Sequence, residues 1–169
     1  MQVTNVLSSD VLEDQFGPTY IDIIYQDHQT RAIATRALNG KLLELSYVRF
    51  NRTASHLFPN VHQTVINGTS MGKAFRDYSI PFKRHVLGKY LYALRDTFCR
   101  LYGDERPAII LDVQILVGSL DSPYATILET YTPDVRAWYG IPTTPSVSCL
   151  KRIEMLSALI KENGYSNES

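Results

Sequence analysis

Apolar and polar residues alternate along several short segments in the middle of the chain, as they do in strands that bury one face. Two of these segments are joined by Asn39-Gly40. Because this dipeptide accepts the positive φ angles of a type I′ turn, it predicts a β-hairpin. The alternation predicts five strands, over residues 20–25, 30–38, 42–50, 108–117 and 124–131.

Apolar residues at helical spacing predict the helices. Short helices are expected over about 8–16, 60–68 and 69–75, and a closing helix runs from about Ser146 to Asn163. A longer helix is predicted after Pro81, where apolar residues recur at three- and four-residue intervals: Val86, Leu87, Tyr90, Leu91, Leu94, Phe98 and Leu101. The mixture predicts an α+β protein with an antiparallel sheet, in one domain over 1–169 with the closing helix as an extension.

Composition and charge exclude several classes of function. The chain has 17 basic and 17 acidic residues, and a net charge near zero argues against a nucleic-acid interface. No segment is long and apolar enough to span a membrane, and no secretory signal is visible at the N-terminus. The expectation is a cytoplasmic protein in which Cys99 and Cys149 are free thiols, without a metal or cofactor.

The hairpin carries arginines where a buried strand should be apolar. In its second strand Arg49 shares a face with Leu43, Leu45 and Tyr47. A buried guanidinium needs a partner, which could be a protein carboxylate or an anionic ligand. Alternatively, the arginine lies at the rim, with its stem on the core and its head in water.

Glu129 is the acidic counterpart, in a strand that is otherwise uncharged. A carboxylate there should have a raised pKa unless a cation lies near it. An arginine of the hairpin is the expected cation, and such a pair would form the polar centre of a small-molecule site. The alternatives are a purely structural ion pair and a glutamate on the open side of the sheet.

In their order along the chain, five segments resemble the chorismate lyase family and its superfamily, which includes ligand-binding domains of some bacterial transcription regulators. The resemblance covers roughly residues 8–133. Its segments are the opening Ser9–Gly17, the hairpin from Arg31 to Phe50, Leu57–Phe75, the basic residue Arg84, and Ile127–Pro133.

The resemblance implies a six-stranded antiparallel sheet, with helices and flap-like segments enclosing a ligand cavity. It implies cofactor-free elimination of pyruvate from chorismate or a related acid to give a hydroxybenzoate. Arg31 would hold a substrate carboxylate, and Glu129 would meet the ring oxygen and take part in proton movement. Further substrate contacts are expected at Tyr47, Arg49, Met71, Gly72 and Arg84.

This chain departs from the family pattern in ways that leave alternatives open. Tyr47 stands where a second arginine is expected, although Arg49 lies two residues further on. One alternative is a tailoring enzyme that cyclises an apolar biosynthetic intermediate. The other is a non-catalytic sensor of aromatic acids, against which the lack of DNA-binding helices counts. The expected partner is a small-molecule aromatic or cyclic carboxylic acid, bound by a monomer or small homo-oligomer.

Overall fold

A single antiparallel sheet organises the molecule, in a computed structural model that describes residues 2–4, 8–118, 122–135 and 142–167. Its strands are β1 (Gln2–Thr4), β2 (Thr19–Gln26), β3 (Thr30–Ala37), β4 (Leu42–Phe50), β5 (Phe82–Tyr92), β6 (Ala108–Val117) and β7 (Ala125–Tyr131). The predicted α+β class with one antiparallel sheet is confirmed. The short β1 brings the number of strands to seven.

Two antiparallel meanders, β2–β3–β4 and β5–β6–β7, join through the pairing of β4 with β7, in the order β1-β5-β6-β7-β4-β3-β2. The helices are α1 (Ser8–Phe16), α2 (Arg52–Leu57), α3 (Pro59–Ile66), α4 (Met71–Asp77), α5 (Thr97–Tyr102) and α6 (Val147–Glu162). The connection from β4 to β5 therefore carries α2, α3 and α4, which makes it long enough to cover one face of the sheet.

The predicted hairpin is confirmed, but its turn differs from the predicted type. Gly40 has a φ of 87°, whereas Asn39 does not have a positive φ. The amide of Gly40 donates to the carbonyl of Ala37 at 2.9 Å, and the amide of Ala37 donates to the carbonyl of Lys41 at 3.0 Å. A three-residue loop with one left-handed glycine therefore closes the hairpin, in place of a type I′ turn.

The long helix predicted after Pro81 is wrong, because Phe82–Tyr92 form β5 and only Thr97–Tyr102 form a short helix, α5. The register of β5 against β6 shifts between Val86 and Gly88, and such a bulge breaks the two-residue alternation of a strand. The remaining apolar positions then imitate helical spacing. Leu87 and Leu91 are exposed, as a strand flanked on one side by only three residues of β1 allows.

The sheet separates two hydrophobic cores. The core beneath α1–α4 is built around residues such as Leu12, Phe75 and Val113. The core beneath α5 and α6 includes Tyr47 and Leu156. None of the helices in the described residues is both long and apolar enough to cross a membrane.

The predicted closing helix is confirmed as α6, which Ser146 caps by accepting a hydrogen bond from the amide of Cys149 at 3.1 Å. Arg152 of α6 donates to both carboxylate oxygens of Asp112 on β6, at 2.9 and 2.7 Å. This helix therefore covers the sheet face opposite to α1–α4 and is an integral part of the fold.

The burial of Leu156 yields a first prediction. Leu156→Ala should lower the free energy of unfolding by about 2–5 kcal/mol, because the substitution opens a cavity under α6. Met155→Ala, one residue away and partly exposed, is the control and should cost much less. Urea unfolding of the two variants checks this, and equal losses would contradict the placement of α6.

Candidate ligand-binding site

A cavity with a volume of about 540 Å³ lies between the sheet and the helices α1 and α4. Side chains of β3, β4, β6 and β7 form its floor, with Arg84 of β5. Residues of α1, of α4 and of the segment before α4 form its mouth. The floor combines apolar side chains with buried charged and hydroxyl groups, and convergent polar groups in a cavity are typical of small-molecule sites.

Strand register arranges the floor in three rows that cross β3, β4 and β7. The rows are Arg31–Val48–Ile127, Ile33–Ser46–Glu129 and Thr35–Glu44–Tyr131. Side chains two residues apart on a strand lie on the same face, so consecutive rows lie side by side in the floor. Arg31 consequently occupies one end of the floor and Glu44 the other.

Arg31 is buried without a counter-charge. It is 1% exposed, and its Nη1 donates to the carbonyls of Thr69 at 3.1 Å and Val65 at 3.4 Å. Its Nε and Nη2 are buried and have no hydrogen-bond partner. Burial lowers the pKa of Arg31 to about 10, so the guanidinium remains charged at neutral pH. It can therefore donate two further hydrogen bonds to an anion.

Glu129 is buried as expected, but its cation is not the one predicted. Arg84 of β5 donates from Nη2 to the Glu129 carboxylate, and the hydroxyl of Tyr131 donates to the same oxygen at 2.6 Å. The prediction that a hairpin arginine neutralises Glu129 is wrong, because the carbonyls of Val65 and Thr69 hold Arg31 elsewhere.

Glu44 is a site residue that the sequence interpretation missed. It is 4% exposed, and its carboxylate accepts hydrogen bonds from the hydroxyls of Thr35 at 3.0 Å and Ser46 at 2.5 Å. Burial and the nearby charge of Glu129 raise the pKa of Glu44 to about 7. The sequence pattern that includes Glu44 is the alternation of Glu44 and Ser46 with leucines. This pattern is typical of a strand with one face in solvent, so it did not indicate a buried carboxylate.

The other predicted contact residues divide between the two sides of the sheet. Met71, Gly72 and Arg84 line the cavity together with Arg31 and Glu129, and their roles in binding stay predictions.

Tyr47 and Arg49 lie outside this cavity, which corrects the face assigned to the second hairpin strand. Strand β4 turns Glu44, Ser46 and Val48 to the cavity, so alternation places Tyr47 on the opposite face. There Tyr47 packs in the core beneath α6, whereas Arg49 is exposed to solvent.

Ion pairs link the charged residues at the mouth. Arg76 of α4 donates to both oxygens of Asp10 on α1, at 3.3 and 2.9 Å, and Lys73 pairs with Asp77 at 2.6 Å. Within the described ranges, no group of three or more His, Cys, Asp and Glu side chains could hold a metal ion.

Comparisons with known proteins identify solved structures that resemble this fold. No family model matches the chain, and no curated protein matches it. PhnF from Mycobacterium smegmatis matches with a TM-score of 0.51 at 14% identity, over 83% of this chain and 69% of that chain.

Two further solved structures are more distant. The C-terminal domain of the histidine utilization repressor from Pseudomonas syringae has a TM-score of 0.45 at 10% identity, over 75% and 99% of the two chains. A GntR-family transcriptional regulator from Enterococcus faecalis has a TM-score of 0.41 at 13% identity, over 83% and 94%.

The match to PhnF supports the chorismate lyase-like fold, and the comparisons overturn the predicted activity. The matched structures include a GntR-family transcriptional regulator and the C-terminal domain of a repressor. The prediction of an enzyme that releases pyruvate and forms a hydroxybenzoate is therefore wrong.

Removing the partner of Arg84 should destabilise the protein strongly. Glu129→Ala leaves a buried guanidinium without its carboxylate, which costs about 3–5 kcal/mol of unfolding free energy. Asp77→Asn breaks the exposed pair with Lys73 and should cost less than about 1 kcal/mol. Denaturant unfolding compares them, and a small loss for Glu129→Ala would show that Arg84 is not held by this pair.

Glu44 should make stability depend on pH. Its pKa rises from 4.5 to about 7 on folding, so ionised Glu44 opposes folding increasingly between these values and fully above them. Glu44→Gln should therefore raise the melting temperature at pH 8 by at least about 3 °C. The gain should vanish near pH 4, where Glu44 is protonated in both states.

Scanning calorimetry at both pH values measures this difference. The exposed Glu162→Gln on α6 is the control, and its melting temperature should follow that of the unmodified protein at each pH. An equal gain for Glu44→Gln at pH 4 and pH 8 would contradict the raised pKa.

Proposed function

We propose that this chain is a ligand-binding domain that holds an aromatic or cyclic carboxylic acid in the cavity above the sheet, without catalysis. The observation that carries the proposal is Arg31, whose guanidinium is buried with two unpartnered nitrogens in the cavity wall. An uncompensated buried charge destabilises a protein, so its presence is best explained by an anion that it binds.

The charges favour a ligand with one anionic group. The other cations that line the described part of the cavity are Lys73, Arg76 and Arg84, and each has a carboxylate partner. Arg31 therefore offers the one guanidinium without a carboxylate, which suits a monocarboxylate better than a dianion.

Size and polarity favour a ring. A volume of about 540 Å³ lies within the usual range of small-molecule sites. The floor presents Val48 and Ile127 in the row of Arg31 and Ile33 in the next row, and these side chains can pack against the faces of a six-membered ring. Contact with this apolar surface strengthens binding of the ring, while hydrogen bonds from Arg31 orient the ligand.

A sensory role agrees with the similarity to a repressor domain and a transcriptional regulator. In such a role, the ligand would stabilise one arrangement of α1 and α4, which the Asp10–Arg76 pair already links across the mouth. The predicted state of a monomer or small homo-oligomer stays a prediction, and analytical ultracentrifugation tests it.

Ligand-observed NMR titrations test the proposal with benzoate, cyclohexanecarboxylate and the neutral benzamide. Both carboxylates should bind, and benzamide should bind much more weakly. Arg31→Met should weaken carboxylate binding by about 2–5 kcal/mol, because it removes the charged donors. Arg49→Met, on an exposed arginine outside the cavity, is the matched control and should change nothing.

The same variant separates a structural from a binding role. If Arg31 is there for the ligand, Arg31→Met should fold at least as stably as the unmodified protein, since it removes an uncompensated buried charge. Equal binding of benzoate and benzamide, or an unchanged benzoate affinity in Arg31→Met, would overturn the proposal.

A further inference from the structure

The end of the cavity opposite to Arg31 has an excess of negative charge. There, Glu44 and Glu129 share one buried guanidinium, that of Arg84. With both carboxylates ionised, this end carries one uncompensated negative charge. A site with a spare cation at one end and a spare carboxylate at the other is complementary to a ligand with both charges.

We infer that the ligand is a zwitterion, a ring-sized monocarboxylate that carries a protonated amine at the end opposite to its carboxylate. Arg31 binds the carboxylate, and Glu44 binds the ammonium group. This inference rests on the proposed function, because it names the class of acid that the same cavity accepts.

The strand register sets the separation of the two charged ends. Glu44 lies opposite Thr35, and Thr35 lies four residues from Arg31 along β3. Four residues of a strand span roughly 13 Å between Cα atoms. Arg31 and Glu44 both line the cavity, and the apolar Ile33 lies between them on the floor. A span of this size suits a six-membered ring with substituents at opposite positions.

The hydrogen bonds of Glu44 leave room for an ammonium group. One carboxylate oxygen accepts from Thr35 and the other from Ser46, and both of these donors are neutral hydroxyls. A carboxylate oxygen can accept about two hydrogen bonds, so each oxygen of Glu44 can take a further donor. An ammonium group supplies both the donors and the missing positive charge, whereas a ligand hydroxyl supplies only a donor.

The neighbours of Glu44 determine its protonation before the ligand enters. Glu129 and Tyr131 of β7 and Arg84 of β5 face Glu44, and Tyr102 of α5 interacts with it from the opposite side of the sheet. Burial and the charge of Glu129 raise the pKa of Glu44 to about 7, whereas the hydroxyls of Ser46 and Thr35 and the charge of Arg84 lower it. The empty cavity can therefore hold a neutral Glu44, and binding of an ammonium group ionises it and releases a proton to the solvent.

Three isosteric acids test the inference by calorimetric titration of the full chain at pH 7.5: 4-(aminomethyl)benzoate, 4-(hydroxymethyl)benzoate and 4-ethylbenzoate. The aminomethyl compound should bind at least about tenfold more tightly than either of the others, as expected for a charge-assisted hydrogen bond over a neutral one. In Glu44→Gln this preference should fall below about threefold, whereas the control Glu162→Gln should keep it.

Proton release provides a second readout that needs no variant. Titrations at pH 6 in buffers of different ionisation enthalpy should show release of close to one proton per bound 4-(aminomethyl)benzoate and none for 4-ethylbenzoate. Equal affinity for the aminomethyl and hydroxymethyl acids, tightest binding of 4-ethylbenzoate, or absence of proton release would overturn the inference and leave the proposed function standing. Failure of all three acids to bind would overturn both.

Discussion

A guanidinium that is buried without a counter-charge destabilises a protein by several kcal/mol. The guanidinium of Arg31 is buried in this way, and the architecture of the site follows from it. The carbonyls of Val65 and Thr69, at and beyond the end of α3, accept from one of its nitrogens and fix its position. They satisfy only part of its donors, and the remaining nitrogens are left for the cavity. The long connection between β4 and β5 thus does more than cover the sheet, because it orients the cation.

The second buried arginine has the opposite character. Arg84 donates to Glu129, and the hydroxyl of Tyr131 donates to the same carboxylate. This pair spans β6 and links β5 to β7 within one of the two meanders of the sheet. One arginine is therefore a structural element of the floor, while the other is the one we propose for binding, although both look alike in the sequence.

Much of the fold could be predicted from sequence, because β3, β4, β6, β7 and α6 follow their periodic patterns and Gly40 marks the hairpin. The prediction from the sequence was wrong at β5, where a bulge near Gly88 breaks the alternation. The same prediction assigned the wrong face of β4 to the cavity. That strand is buried on both faces, so alternation alone could not tell whether Glu44 or Tyr47 faces the cavity.

The partners of the charged site residues could not be predicted from the sequence, because they depend on contacts between elements that are distant along the chain. Arg31, Arg84 and Glu129 were all identified as site residues, yet the pairing of Glu129 with Arg84 needed the register of β5, β6 and β7. Glu44 can be recognised as a carboxylate in excess of the nearby cations only when that pairing is known.

A crystal structure of the protein with bound benzoate tests the central claim most directly. The account predicts the carboxylate of benzoate in the cavity, with its oxygens about 2.7–2.9 Å from Nε and Nη2 of Arg31 and the ring above Ile33. The contradicting result is a benzoate bound elsewhere, or bound in the cavity with its carboxylate on another group while Arg31 keeps its two unpartnered nitrogens.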